Sequence, residues 1–219
     1  MDGQPVLPYR QLRTPRAAGI AGVVFSVLFG ASLVLLHTAF DPDPSTAIDW
    51  AGPAGGRVRL ALTLMPFAGI AFLWFIGVVR DRLGEHEDRF FSTVALGSGL
   101  LFLAMVFVSM AIAGGLLASA RADLTVDAER GLTSFGRGMM LQISNVYALR
   151  MAGVFMLSLG TVWLRTGLMP RWLVSTTYLL ALAMLVIVNL SLWVTLLFPT
   201  WVLVVSSYVL IRPSGAGGD

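Results

Sequence analysis

The stretch Trp172–Ile211, WLVSTTYLLALAMLVIVNLSLWVTLLFPTWVLVVSSYVLI, decides the fold of this chain. It runs for 40 residues without an Asp, Glu, Lys, Arg or His. Because a helix rises about 1.5 Å per residue, the stretch corresponds to roughly 60 Å of apolar helix, about twice the thickness of the hydrocarbon core of a bilayer. The sequence therefore predicts a hairpin of two membrane-spanning helices.

The rest of the chain has the same apolar character. Of its 219 residues, 57% are hydrophobic and 12% are charged, and the mean hydropathy is +0.81. Soluble domains carry about 25% charged residues. All 15 basic residues are Arg and are dispersed along the chain, so the net charge of +3 gives no sign of nucleic-acid binding. The absence of cysteine excludes disulfides, thiolate metal sites and cysteine nucleophiles.

The apolar runs predict an all-α bundle of six transmembrane helices. These cover about 17–39, 58–79, 91–118, 135–165, 172–190 and 192–211, between tails at 1–16 and 212–219. We place the turn of the last hairpin near Asn189–Ser191, with Pro199 kinking the sixth helix. The alternative is a turn at Phe198–Thr200, with Trp193 and Trp201 at one interface, but it leaves a last helix too short to cross.

Arginine counts predict the orientation of the bundle. Nine arginines fall on the side of the two tails and five on the other side. The positive-inside rule therefore predicts that both termini are cytoplasmic, and the all-Arg composition is typical of a GC-rich bacterial genome, so we expect a bacterial inner membrane. On the outer side, Asp41–Gly56 is expected to be coil. The segment after Ser119 has apolar residues at helical spacing and is expected to form an amphipathic helix that runs into the fourth span.

A stripe of small residues follows the first helix at i, i+4 spacing. Its members are Ala18, Gly22, Ser26 and Gly30. Small residues let a second helix backbone approach closely. We interpret the stripe as a packing seam inside the bundle, with a homodimer seam as the alternative.

Arg150 is the charged residue that lies farthest from the ends of a predicted span. It lies about 22 Å along the helix axis from Arg165, which places it in the outer leaflet of the predicted topology. Ionised side chains at such depths are costly and mark functional sites or ion pairs. The alternative is that Arg150 snorkels to the headgroups. A candidate ligand or ion-pair cluster would combine it with residues at similar depth: His37, Gln142, Asn145 and Asn189.

No cofactor or metal site is expected. The two histidines, His37 and His86, fall on opposite faces of the predicted membrane, so they cannot share one haem. The charged loop Arg80–Arg89 matches no standard pattern of metal ligands and is expected to be a solvated connector. No phosphate-binding, dinucleotide-binding, nucleophile-elbow or zinc-protease motif occurs in a usable context.

Two connectors, RTPRAAGI at 13–20 and LRTGLMPRWL at 164–173, resemble those of uncharacterised six-helix integral membrane families of bacteria. The resemblance implies the architecture and no activity. The first functional hypothesis is a non-enzymatic protein that packs with itself or joins a larger membrane complex, in contact with membrane lipids. The second is a small transporter or ligand-binding protein that uses the Arg150 region. A lipid-modifying enzyme is disfavoured because no acid–base pair lies within the predicted bundle.

Overall fold

The computed structural model describes residues 14–40, 50–84, 89–120, 125–186 and 192–211. Within these ranges 94% of the residues are helical and no strand occurs. In chain order the elements are α1 (Thr14–Ala39), α2 (Pro53–Gly84), α3 (Arg89–Ser119), α4 (Val126–Gln142), a π-helical segment (Ile143–Ala148), α5 (Leu149–Thr166), α6 (Arg171–Val186), a 3-10 segment (Leu192–Leu196) and α7 (Leu197–Ile211). The prediction of an all-α chain is confirmed.

Several of these helices are long and apolar enough to cross a bilayer. Five stretches in the described ranges meet this requirement: Ala17–Ala39, Pro53–Arg80, Phe90–Ser119, Val126–Thr166 and Val194–Ile211. Helix α6 is also apolar but shorter. The chain is therefore a multi-pass membrane protein by the length and composition of five to six helices.

Contacts between helix ends define the two ends of the bundle. A Cβ built on Gly19, near the start of α1, would lie 3.1 Å from the Ser206 carbonyl oxygen of α7. The Trp172 ring at the start of α6 meets the edge of Tyr208 in α7, with 6.4 Å between ring centroids. Helix α1 therefore begins beside the end of α7. We call this end, which carries Arg80, Arg165 and Arg171, the arginine end.

The opposite end is formed by the end of α1 and by α4, and we call it the α4 end. Phe40, which follows α1, meets Trp50 edge-on with 6.4 Å between ring centroids. The Arg137 guanidinium of α4 lies over the same Phe40 ring. Helix α4 continues through the π-helical segment into α5, as the amphipathic pattern predicted.

Phenylalanine rings from five different helices fill the centre of the bundle. They are Phe25, Phe72, Phe102, Phe155 and Phe198, and each is 3% exposed or less. The Phe25–Phe72 and Phe102–Phe198 centroid distances are both 4.6 Å, with the rings tilted against each other. Tilted and edge-on arrangements are the ones that aromatic quadrupoles favour. Because these rings fill the middle of the bundle, room for a ligand is expected nearer its ends.

Three details of the predicted helices are corrected. Helix α2 begins at Pro53, where the ring presets the helical φ and the missing N–H is not needed, so residues 53–56 are helical rather than coil. Pro199 lies in the first turn of α7, after the 3-10 segment, and does not kink a continuous helix. The predicted tail 1–16 is helical from Thr14 onward. Residues 1–13, 41–49, 85–88 with His86, the predicted turn at Asn189–Ser191 and the tail 212–219 lie outside the described residues.

Candidate functional site

A cavity of about 50 Å³ lies towards the α4 end of the bundle. One water needs about 10–15 Å³ on this scale, so the cavity has room for roughly three or four waters. Its walls come from α1, α3, α4, the π-helical segment and the 3-10 segment. We call it the polar chamber, after its polar lining residues His37, Ser109, Arg137, Ser144 and Thr195. Its apolar lining residues are Leu33, Leu36, Phe40, Met110, Met140 and Leu141.

The π-helical segment forms one wall of the chamber. Its end is marked by the Leu149 N–H, which bonds to the Ser144 carbonyl five residues back instead of four. Such wide turns are rare within α-helices and are frequent at functional sites. The Ser144 hydroxyl donates to the Ser109 hydroxyl over 2.8 Å, and the Ser109 hydroxyl donates to the Met140 carbonyl over 3.3 Å. These bonds connect the π-helical segment to α3 at the chamber wall.

Arg137 brings the permanent positive charge to the chamber. Its side chain is half-buried, and its guanidinium carbon lies 5.7 Å from the centroid of the Phe40 ring. A cation over an aromatic face at this distance is stabilised by about 0.5–2 kcal/mol. His37, in the last turn of α1, is also half-buried. Arg137 is the permanently charged side chain among the described lining residues.

The predicted Arg150 cluster is only partly brought to this chamber. His37 lines it, whereas Gln142, Asn145 and Arg150 are not among its lining residues. Arg150 is half-buried, and its Nη1 donates to the Val146 carbonyl of the π-helical segment over 3.2 Å. Asn189 lies outside the described residues. A ligand site centred on Arg150 therefore stays a prediction.

Two members of that cluster differ in their surroundings. Gln142, the last residue of α4, is exposed. Asn145 lies in the π-helical segment, and its side-chain Oδ1 is buried without a hydrogen-bond partner. An unpaired buried carbonyl oxygen is costly. Asn145 thus places an unsatisfied polar atom on the π-helical segment that also contributes to the chamber wall.

The small-residue stripe of α1 is used inside the chain. Ala18, Gly22 and Ser26 are buried, and Gly30 is half-buried. A Cβ on Gly22 would overlap the Ser206 hydroxyl of α7 and would lie 3.0 Å from Cδ2 of Phe75 in α2. Nothing lies within 4 Å of a Cβ built on Gly30. At Gly22 the stripe therefore lets α1 approach α7 and α2 within one chain.

Of the polar residues that line the chamber, only His37 belongs to the candidate cluster predicted from the sequence. Ser109 and Thr195 lie inside long apolar runs, where single hydroxyl residues are common in helix packing and carry no separate signal. Arg137 lies in the amphipathic helix that the sequence predicts after Ser119, where a charged residue is expected on the polar face. The signal that could have found it is its position on the same helix face as Met140, one turn later, which is buried.

No family model matches this chain, and comparisons with curated proteins and with solved structures find no match. The likeness of the connectors at 13–20 and 164–173 to six-helix bacterial families therefore stays a prediction. Among the residues that the structure describes, no group of three His, Asp or Glu side chains could hold a metal ion.

Proposed function

We propose that this chain is an integral membrane protein that binds a small anion with a short apolar part, such as a short-chain carboxylate, in the polar chamber. The observation that carries the proposal is the lining of the chamber. It combines the Arg137 guanidinium with hydroxyl groups on one side and aliphatic and aromatic side chains on the other. No activity is proposed beyond binding or passage of the ligand.

The charges and donors of the chamber favour an anion. A guanidinium offers N–H donors in a planar fork that matches a carboxylate. Ser109 and Thr195 are 3% and 7% exposed, so a ligand beside them would be largely removed from water. Charge–charge attraction strengthens several-fold when water is excluded. These features support tighter binding of an anion than of a neutral molecule of the same size.

The size of the chamber limits the ligand. A cavity of about 50 Å³ holds a carboxylate group and a few further heavy atoms, not a lipid tail or a nucleotide. The apolar lining residues Leu36, Met110 and Met140 would contact the aliphatic part of the ligand. Each buried methylene adds about 0.8 kcal/mol, so butyrate should bind more tightly than acetate as long as it fits.

The hydroxyl groups of the chamber support binding rather than catalysis. A nucleophilic serine needs a neighbouring base that takes its proton. The Ser144 hydroxyl donates a hydrogen bond to the Ser109 oxygen, and the Ser109 hydroxyl donates to the Met140 carbonyl, which is not a base. The absence of enzymatic activity stays a prediction from the sequence.

The first hypothesis from the sequence, packing with itself or joining a larger membrane complex, stays a prediction. Gly22 packs against Ser206 and Phe75 of the same chain, so the stripe is occupied at that point. The bacterial inner membrane and cytoplasmic termini remain part of the proposal, supported by the arginines at the arginine end. In that orientation the polar chamber lies near the outer surface, which suits uptake or sensing of an external ligand.

The test is ligand-dependent thermal stabilisation of the purified protein in detergent. We expect butyrate and acetate to raise the melting temperature, and Arg137→Gln to remove that rise. Arg130→Gln is the matched control, because Arg130 is exposed on the same helix and does not line the chamber. Arg150→Leu should keep the rise. If the rise in melting temperature is lost with Arg150→Leu and kept with Arg137→Gln, the ligand site lies at Arg150 instead. If neither anion stabilises the wild type, the proposal is wrong.

A further inference from the structure

We propose a second site, separate from the polar chamber, that holds the headgroup of an anionic phospholipid at the arginine end of the bundle. The site is the surface around the short connection between α5 and α6. It is formed by Arg165, whose guanidinium lies over the Phe91 ring, and by Arg171 and Trp172 at the start of α6. We call it the headgroup site.

The connection between α5 and α6 holds two arginines close together along the chain. Gly167 adopts φ +65°, a left-handed conformation that suits glycine, and its N–H bonds to the Trp163 carbonyl over 3.0 Å. Helix α6 then begins at Arg171, and the Pro170 carbonyl accepts the Leu173 N–H over 3.0 Å. The chain reverses direction within residues 167–170. Arg165 therefore lies near the end of α5 and Arg171 at the start of α6, on either side of the connection.

The described side chains of this end include three exposed arginines. Arg80, Arg165 and Arg171 are all exposed. The Arg165 guanidinium carbon lies 5.0 Å from the centroid of the Phe91 ring, which fixes the position of that cation beside the start of α3. Basic residues next to membrane helices attract anionic lipids through their phosphate groups. The exposed Arg171 side chain can offer its N–H donors to a phosphodiester.

Apolar side chains beside these arginines distinguish a lipid from a free phosphate. Leu164 and Trp172, the chain neighbours of Arg165 and Arg171, are 60% and 57% exposed, although both are large and hydrophobic. Aromatic side chains of this kind lie at the level of lipid headgroups, with their rings against the upper acyl chain. A phosphate ion would gain nothing from these contacts. A phospholipid, by contrast, can place its phosphate on Arg171 and its chains against Leu164 and Trp172.

The experiment uses the full chain in mixed detergent–lipid micelles and native mass spectrometry. We compare retention of phosphatidylglycerol with that of phosphatidylcholine with the same acyl chains. The wild type should retain phosphatidylglycerol preferentially, and Arg171→Gln should reduce its retention about fivefold, the factor expected for one basic residue at a membrane surface. The matched control is Arg59→Gln, because Arg59 is exposed near the start of α2 at the opposite end. It should leave retention unchanged.

Three outcomes would overturn the headgroup site. They are equal retention of the two lipids, an equal loss in Arg59→Gln and Arg171→Gln, and displacement of bound phosphatidylglycerol by millimolar inorganic phosphate. A circular-dichroism melt of each variant shows whether it is folded, and Arg165→Gln supplies a second folded variant with the same expected direction. Butyrate binding in the polar chamber is not part of this readout, so either site can fail without the other.

Discussion

Gly22 is the residue at which the distance between membrane helices is set most directly. Lipid tails are as apolar as leucine, so helices in a bilayer associate through close van der Waals contact rather than through the hydrophobic effect. At Gly22 the backbone of α1 meets both the Ser206 side chain of α7 and the Phe75 ring of α2. A single methyl group there would separate α1 from both neighbours.

We therefore expect Gly22→Ala to lower the free energy of unfolding by about 1–3 kcal/mol, the usual cost of overpacking. Gly30→Ala is the matched control, because nothing lies within 4 Å of its added methyl group and alanine is the better helix former. The measurement is reversible unfolding by SDS in mixed micelles. An equal effect of the two substitutions would contradict the packing described for α1.

Arg150 shows which residue-level features the sequence could and could not provide. Its spacing from Arg165 correctly indicated a charged group within a long apolar helical stretch, and the structure finds it half-buried. The sequence could not indicate that its Nη1 bonds to the Val146 carbonyl of its own helix. That contact depends on the course of the backbone through the π-helical segment, for which no residue type is diagnostic.

At the level of elements, the long apolar helices and the amphipathic α4 could be predicted from the sequence, because helical periodicity and span length are fixed by geometry. The π-helical segment could not be predicted, since its sequence ISNVYA contains neither Gly nor Pro to mark an irregular turn. The polar chamber depends on this segment for Ser144, and on the rotation of α3 and of the 3-10 segment for Ser109 and Thr195. Helix rotation in a bundle is set by packing, which a single sequence does not specify.

Removing one residue from the π-helical segment should separate its role in the site from its role in the fold. A wide turn holds one more residue than an α-turn, so deletion of the exposed Tyr147 should restore the α-pattern while α4 and α5 keep their faces. We expect a folded protein in which butyrate no longer raises the melting temperature. Tyr147→Ala keeps the chain length and should retain the stabilisation. Retention after the deletion would show that the wide turn is not needed for the site.

At the scale of the whole molecule, both described ends of the chain lie at one end of the bundle. Gly19 of α1 packs beside Ser206 and Leu210 of α7. An even number of crossings would bring the two ends together, and a sixth crossing by α6 beside the five longer stretches stays a prediction. The arginine end then carries the positive charges that the positive-inside rule assigns to the cytoplasm.

This orientation leads to the last prediction, which uses the absence of cysteine from the chain. A single cysteine in place of Asp127, exposed in the first turn of α4, should react in intact cells with a membrane-impermeant maleimide. A single cysteine in place of Leu168, exposed in the connection between α5 and α6, should react only after the cells are permeabilised. The positive-inside rule compares the number of arginines on the two sides of the membrane, and this chain has nine on the side of the tails and five on the other side. Labelling of the Leu168→Cys protein in intact cells, with protection of Asp127→Cys, would reverse the orientation and place the polar chamber near the cytoplasm, where an intracellular anion would be its ligand.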